Sequence, residues 1–350
     1  MKKSRARSII FMFLKLGIAG GLLYLGFRNQ RFDKELLIGL ADRWPYAAAG
    51  IIIMLGVPAF GCVRWWALVR AQGIALSLRD AAKLTYIGLF LSVFLPGVVT
   101  GDLFKAYYVA KGKGRERRAE AITTIFLDRV AGLFGLALLA ATVMTVNIPM
   151  IEANPKLRAL AIFFGSAVAV GIIGFFIVFH PRLRERRKRL LSGRGAIWQT
   201  VDKVDDAVHL YRDRKLTVLA AMALSIGNHV AQIAAVWLFA RALGGAIPLH
   251  RMLLLVPIGF MVNAIPIGAP GGVGQGEVFF QWLLLTTEGF SLGATNFLCW
   301  RLANLLAVSP GALVWVLHRA EIAEVEHEME EAEEEAPPAE DAVSETPAGQ

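Results

Sequence analysis

Two carboxylates stand where an apolar stretch of the sequence is broken by proline and glycine. Asp102 ends the motif "PGVVTGD" and Glu277 ends the motif "PGGVGQGE". Each opens a second apolar half-segment, so one interpretation is that it caps the returning helix, which stabilises by about 0.3–1 kcal/mol. A charge within a membrane span costs at least about 2.5–3.5 kcal/mol on insertion scales. Because capping does not offset that cost, we expect each carboxylate to have a basic partner.

Two arginines are the predicted partners, one in each half of the sequence. Arg129 lies in "FLDRVAGL" and Arg301 lies in "FLCWRLANL". A guanidinium fork matches the geometry of a phosphate group, and helix N-termini attract phosphate. Arginines near the membrane midplane, beside the starts of two half-helices, therefore predict an anion site. In a chain surrounded by lipid, we expect the anion to be a phospholipid headgroup.

Neighbouring residues complete the predicted site. Asn304 lies on the helix face of Arg301, whereas Asp128 points about 100° away from Arg129. The glycines of "PGGVG" let backbone amides approach a headgroup, and "GGVGQGE" is not a nucleotide loop because no strand precedes it and no Lys-Ser/Thr ends it. The candidate headgroup-binding residues are Asp102, Asp128, Arg129, Gly271, Gly272, Gly274, Glu277, Arg301 and Asn304.

Other polar residues in apolar segments have predicted structural roles. Arg64 lies near the end of a predicted span, so we expect its side chain to reach the membrane surface. Ser225, Asn228 and Gln232 recur at helical spacing, and we expect them to form hydrogen bonds between helices. We expect His229 to pack against its neighbours.

The elements that position these residues are membrane helices. The sequence has 350 residues, of which 56% are hydrophobic, and a mean hydropathy of +0.53, whereas soluble domains are roughly 45–50% apolar. About 20 helical residues cross a hydrocarbon core. We therefore predict full spans at 8–27, 46–69, 119–147, 157–180, 216–243 and 294–317.

Two further apolar segments, at about 83–110 and 250–289, are broken midway. Each half contains about 13–18 residues, which is roughly 20–27 Å of helix at 1.5 Å per residue and is short for a crossing. Non-helical backbone is tolerated at membrane depth only where protein or water surrounds it. We therefore predict that both segments are re-entrant hairpins.

The distribution of basic residues predicts the orientation. With a cytoplasmic N-terminus and non-crossing hairpins, the inside segments hold 25 Lys and Arg and the outside segments hold 8, in agreement with the positive-inside rule. Both termini are then cytoplasmic. Residues 181–215 form a basic interfacial segment, and 321–350 form a tail with 12 acidic and no basic residues. The basic surplus flanks apolar helices, so it favours anionic lipid headgroups over nucleic acid.

The two halves of the chain repeat the same motifs in the same order. The matching pairs are 66–79 with 237–251, 96–104 with 270–279, and 126–133 with 297–305. Each half is then helix, helix, hairpin and helix, entered from opposite sides of the membrane, as in alternating-access transporters. We predict an all-α integral membrane fold of six transmembrane helices plus two re-entrant helical hairpins, arranged as an inverted-topology repeat. The predicted units are 1–155, 156–320 and a disordered tail at 321–350.

Two of these segments resemble a known family. "GDLFKAYYVAKGKGRERRAEAITTIFLDRVAGL" and "PIGAPGGVGQGEVFF" are similar to the two signature regions of the flippase-like membrane domain of lysylphosphatidylglycerol synthetases, and the resemblance covers roughly residues 8–318. It implies a multi-pass protein of the bacterial or archaeal inner membrane that moves an aminoacylated or glycosylated lipid across the bilayer. Bifunctional members carry a soluble aminoacyl-transferase domain, and we expect a stand-alone member without it.

The sequence therefore predicts a flippase-like carrier for a phospholipid or a lipid-linked aminoacyl or glycosyl headgroup. One alternative is an intramembrane lipid-modifying enzyme with Asp102 and Glu277 as acid and base, and another is a structural subunit of a separate lipid synthase. The sequence offers no metal-ligand cluster and no Ser/His/Asp arrangement, which favours the carrier, and we expect no metal and no cofactor. The predicted partners are membrane lipids and a separate lipid synthase or glycosyltransferase, without nucleic acid.

Overall fold

The computed structural model describes residues 38–94, 100–110, 114–179, 211–264 and 273–318. All regular secondary structure in these ranges is helical, which confirms the all-α prediction for the described part of the chain. Several predicted features lie outside the described residues, namely the span at 8–27, most of the basic segment 181–215, the tail at 321–350, and Gly271 and Gly272.

The described part of the chain contains the following helices, in chain order. They are α1 (Trp44–Ala71), α2 (Leu78–Phe94), α3 (Thr100–Ala110), α4 (Gly114–Val146), α5 (Ile148–Ala153), α6 (Pro155–Phe179), α7 (Lys215–Ala242), α8 (Leu249–Ala264), α9 (Gln275–Glu288), α10 (Gly293–Val308) and α11 (Pro310–Leu317). A 3₁₀ turn at Tyr211–Arg214 precedes α7.

Four helical stretches of the described chain are long and apolar enough to cross a membrane. They are Trp44–Ala71, Glu120–Val146, Leu216–Ala242 and Gly293–Leu317, and they coincide with four of the predicted spans. A fifth predicted span, at 157–180, falls on α6, which has 25 residues. The chain is therefore a multi-pass membrane protein.

Both broken segments form two helices separated at the predicted break. Helices α2 and α3 have 17 and 11 residues, and α8 and α9 have 16 and 14. At 1.5 Å per residue they are about 17–26 Å long, which is less than the ~30 Å hydrocarbon core. Helix α2 packs on α3, and α8 packs on α9. Each segment therefore contains two separate helices, while the break residues 95–99 and 265–272 lie outside the described residues and the re-entrant path remains a prediction.

Glycine allows the two helices of each hairpin to approach closely. A Cβ atom at Gly101 would lie 2.0 Å from the carbonyl oxygen of Gly88. A Cβ atom at Gly276 would lie 2.6 Å from Oδ1 of Asn263. Each of these glycines directly precedes the carboxylate of its hairpin. The close crossing therefore places both acids where the two helices of a hairpin meet.

Each half of the chain contacts a long helix of the other half, α1 in the first half and α7 in the second. Helices α1 and α7 form the most extensive interface among the described helices, α4 packs on α7, and α10 packs on α1. One apolar core includes Phe280, Phe297 and Trp300 of the second half, and another includes Trp65 and Phe104 of the first half. The hairpins are thus fixed to a central pair of helices.

The matched sequence stretches fold alike. The indole N–H of Trp66 donates to the carbonyl oxygen of Leu76, the indole N–H of Trp237 donates to that of Ile247, and both distances are 3.0 Å. The matched glycines after α1 and α7 have φ angles of 76° and 85°, a left-handed conformation that favours glycine at a helix end. These shared details support a duplication, and the opposite membrane orientation of the halves remains a prediction.

Candidate functional site

The carboxylate of the second half lies in a closed ion pair. Glu277 is on the first turn of α9, and 1% of its surface is exposed. Arg301 of α10 donates from Nε to Glu277 Oε1, and from Nη2 to Glu277 Oε2 at 3.1 Å. The backbone N–H of Gly274 donates to Glu277 Oε2 at 2.9 Å. Glu277 therefore caps its own helix and neutralises Arg301 at the same time.

Aromatic rings and an amide enclose this second-half pair. The guanidinium carbon of Arg301 lies 5.8 Å from the ring centroid of Phe297 and 5.9 Å from that of Trp300. Its Nη2 also donates to Asn263 Oδ1 at 3.1 Å. Ring faces and an amide oxygen both favour a cation that has been removed from water. With 11% of the Arg301 side chain exposed, the pair is buried and electrically neutral.

The carboxylate of the first half has two basic partners and an accessible side. Asp102 is on the first turn of α3, where Lys105 Nζ lies 2.7 Å from its Oδ1. Arg129 of α4 donates from Nε to Asp102 Oδ2 at 2.6 Å. Lys105 is buried, and its Nζ lies 5.1 Å from the centroid of the Trp65 ring. By contrast, half of the Arg129 side chain is exposed.

The two sites consequently differ in charge and in access. Among the residues that the structure describes, the second-half site pairs one acid with one base, whereas the first-half site pairs one acid with two bases. A surplus of charge acts strongly on nearby ions where the dielectric constant is low. Lys105 contacts Asp102 independently of Arg129. Within the described part of the chain, the carboxylate of the first half therefore has a second base that the carboxylate of the second half lacks.

Arg64 does not reach toward the membrane surface, so that prediction is wrong. Its Nε and Nη2 donate to the two oxygens of Asp128 at 2.7 and 3.0 Å, and its Nη1 donates to Ser225 Oγ at 2.9 Å. A Cβ atom at Gly132 would lie 3.4 Å from Nη1, so this glycine leaves room for the guanidinium. The side chains of Arg64 and Asp128 are 12% and 13% exposed. This third ion pair joins α1, α4 and α7 across the two halves.

Two residues of the polar stripe of α7, Ser225 and Gln232, form hydrogen bonds with other helices as the sequence predicts, whereas the same prediction for Asn228 stays a prediction. Ser225 accepts from Arg64, and Gln232 accepts from the indole N–H of Trp300 at 3.3 Å. His229 is not only a packing residue, because its Nε2 lies at hydrogen-bond distance, 3.0 Å, from the carbonyl oxygen of Gly132.

The structure divides the predicted site residues between separate contacts. Each arginine pairs with the carboxylate of its own half, as expected from the cost of burying a charge. Asp128 pairs with Arg64 instead, because the crossing of α1 and α4 brings those two side chains together. Asn304 is half-buried one turn beyond Arg301. The binding of a headgroup by these residues stays a prediction.

Sequence reasoning missed three residues of these networks. Lys105 lies three positions after Asp102 on α3, a helical spacing from which it could have been found. Asn263 has no local signal, because it reaches Arg301 from the far side of a break, 38 positions away in sequence. The ion pair of Arg64 with Asp128 could not be predicted from the sequence, because it depends on how α1 crosses α4.

The comparisons with known proteins agree with this membrane architecture. The family model described as lysylphosphatidylglycerol synthase TM region matches residues 12–311. No curated protein and no solved structure is significantly similar to the chain.

The same substitution in the two halves should have unequal effects on stability. Arg301→Gln leaves a buried carboxylate without its base, and we expect a loss of about 3–5 kcal/mol in the free energy of unfolding. Arg129→Gln leaves Asp102 with Lys105, and we expect a loss of at most about 1 kcal/mol. Thermal and denaturant unfolding of both variants in detergent measures the difference. Equal losses would contradict the division into a closed and an accessible site.

Proposed function

The chain belongs to the family of the lysylphosphatidylglycerol synthase membrane region, and we propose that it is a flippase-like carrier. Its cargo is the headgroup of an anionic or aminoacylated phospholipid, or of a lipid-linked sugar, which it moves between leaflets. The observation that supports this proposal most is that the described residues of the first-half site comprise two bases and one acid, with half of the Arg129 side chain exposed.

The ion pairs of the first half suggest how a headgroup is carried. A phosphate with one negative charge brings the site of Asp102, Lys105 and Arg129 from +1 to neutral. Moving an uncompensated charge through the membrane interior is expensive, so a neutral loaded site lowers the barrier. The guanidinium of Arg129 binds the phosphate through two parallel N–H···O bonds. Lys105 keeps Asp102 paired throughout the transfer.

The second half acts in this proposal as the scaffold against which the first half moves. Its hairpin is closed by Glu277 and Arg301 and packs among aromatic residues. We further propose that the two hairpins enter the membrane from opposite sides, as inverted repeats do. The protein then lies in a bacterial or archaeal cytoplasmic membrane with both termini inside, and a separate synthase or glycosyltransferase supplies its lipid.

Cysteine labelling tests the inverted topology. Cys62 and Cys299 are free, so a Cys62→Ala/Cys299→Ala background carries one new cysteine at a time. We expect Glu116→Cys to react only from the cytoplasmic side, because the hairpin of α2 and α3 returns there. We expect Glu152→Cys, at an exposed position of α5, to react only from outside. Labelling of Glu116→Cys from outside would contradict the return of the first hairpin to the cytoplasm, and with it the inverted topology.

Leaflet exchange in liposomes tests the function. A fluorescent phosphatidylglycerol becomes accessible to an external quencher when the protein moves it outward. We expect Arg129→Gln to slow this exchange at least about tenfold, as the loss of a charged hydrogen-bonding partner implies. Arg129→Lys should also impair it, because an ammonium group cannot form the bidentate fork.

Two controls make this result specific. Arg79→Gln removes an exposed arginine that has no place in the site, and it should exchange lipid like the wild type. The mass of the lipid should be unchanged after exchange, whereas an intramembrane enzyme would alter it. Normal exchange by Arg129→Gln, in protein that unfolds at the wild-type temperature, would refute the assigned site.

A further inference from the structure

A cavity of about 520 Å³ lies at the end of the second hairpin that is opposite its break. It is bounded by the start of α8, the end of α9, α5 and the start of α6. Its lining residues are Pro149, Met150, Ala153, Asn154, Leu157, Arg251 and Thr287. About thirteen residues of α8 separate Arg251 from the break, which is roughly 20 Å at 1.5 Å per residue. The cavity is therefore distinct from the ion pairs described above.

The lining of the cavity is amphipathic. Four of the seven lining residues are apolar, three carry polar groups, and none is acidic. Ligand pockets typically have about 300–1,000 Å³, with mostly apolar walls and a few polar groups that fix orientation. This cavity has the volume of such a pocket and, like such a pocket, combines apolar walls with a few polar groups.

Arg251 is positioned by a carboxylate that lies behind it. Its Nη1 lies 2.7 Å from Oε2 of Glu288, and the Arg251 and Glu288 side chains are 41% and 5% exposed. Among the described residues, no other acceptor bonds to this guanidinium, which has five N–H donors. Glu288 therefore fixes Arg251 while most of its donors remain available on the cavity side.

Further basic groups lie on α6, directly beside the lining residue Leu157 in sequence. Lys156 lies on the first turn of α6, two positions after the lining residue Asn154, and its Nζ lies 5.7 Å from the centroid of the Trp282 ring. Lys156 and Arg158 are exposed, as is Glu152, the acidic residue of α5. Because Arg251 and Glu288 cancel, these groups leave a local surplus of one positive charge. An anion is the ligand that this surplus favours.

We infer that this cavity binds the phosphate of an anionic amphiphile, with the phosphate on Arg251 and the apolar chain against Pro149 and Met150. A guanidinium fork matches phosphate, and the apolar wall adds favourable burial that a free ion cannot use. This inference goes beyond the proposed carrier function, because binding at this cavity requires no movement between leaflets.

Native mass spectrometry of the protein with dioleoylphosphatidylglycerol in detergent tests the inference. All variants carry Arg129→Gln, so that the proposed headgroup site does not contribute. Arg251→Gln/Glu288→Gln removes both charges and still allows a neutral hydrogen bond, so that neither charge is left buried alone. Ala153→Trp fills the cavity and leaves Arg251 in place. Arg79→Gln is the matched control, because it removes an exposed arginine of α2 that belongs neither to the cavity nor to the basic groups near it.

We expect the Arg251→Gln/Glu288→Gln and Ala153→Trp variants to bind the lipid at least about tenfold more weakly than the Arg79→Gln control. Equal binding by all three would overturn the inference. Inorganic phosphate alone should not displace the lipid at equal concentration, and complete displacement would make the cavity a site for the free ion. The experiment measures lipid binding and not exchange between leaflets. A negative result for this cavity therefore leaves the carrier proposal unaffected, and a positive result does not require the carrier proposal to be correct.

Discussion

A carboxylate inside a membrane segment needs a base nearby, and the arrangement of both halves follows from that requirement. In each half the acid begins the return helix of a hairpin, and the arginine that pairs with it lies on the following long helix. The ion pair thus ties the break of a hairpin to a neighbouring span. A hairpin of helices with 11–17 residues gains at this point both a cap for its exposed amides and an anchor.

The two halves meet this requirement differently, and in our proposal the difference separates a scaffold from a binding site. The second half encloses its pair between an amide and aromatic rings. The first half adds Lys105 and exposes Arg129, so its described residues contain one more base than those of the second half. Arg64 and Asp128 join the halves where α1, α4 and α7 meet. A duplicated architecture with one accessible copy is consistent with a carrier that binds its cargo in one half.

The sequence was informative wherever a single energetic cost dominated. The cost of an unpaired charge predicted both acid–arginine pairs, and the proline and glycine breaks predicted the interrupted helices. The sequence was uninformative where the contacts of a side chain depended on how two helices cross. Arg64 could extend to the membrane surface or pair with Asp128, and the packing of α1 against α4 determines that it pairs with Asp128. The same holds for the cavity beside Arg251, whose walls come from four helices, and for the unequal exposure of the two arginines.

Photo-crosslinking from a lipid headgroup tests the central claim most directly. Phosphatidylglycerol with a diazirine on its headgroup is irradiated with the protein in liposomes, and the modified peptides are sequenced by mass spectrometry. The account predicts adducts beside Arg129 on α4 and on the first turn of α3, which are lost when unlabelled phosphatidylglycerol is in excess. Adducts confined to α9 and α10 around Glu277, or spread evenly over the lipid-facing surfaces of all helices, would contradict it.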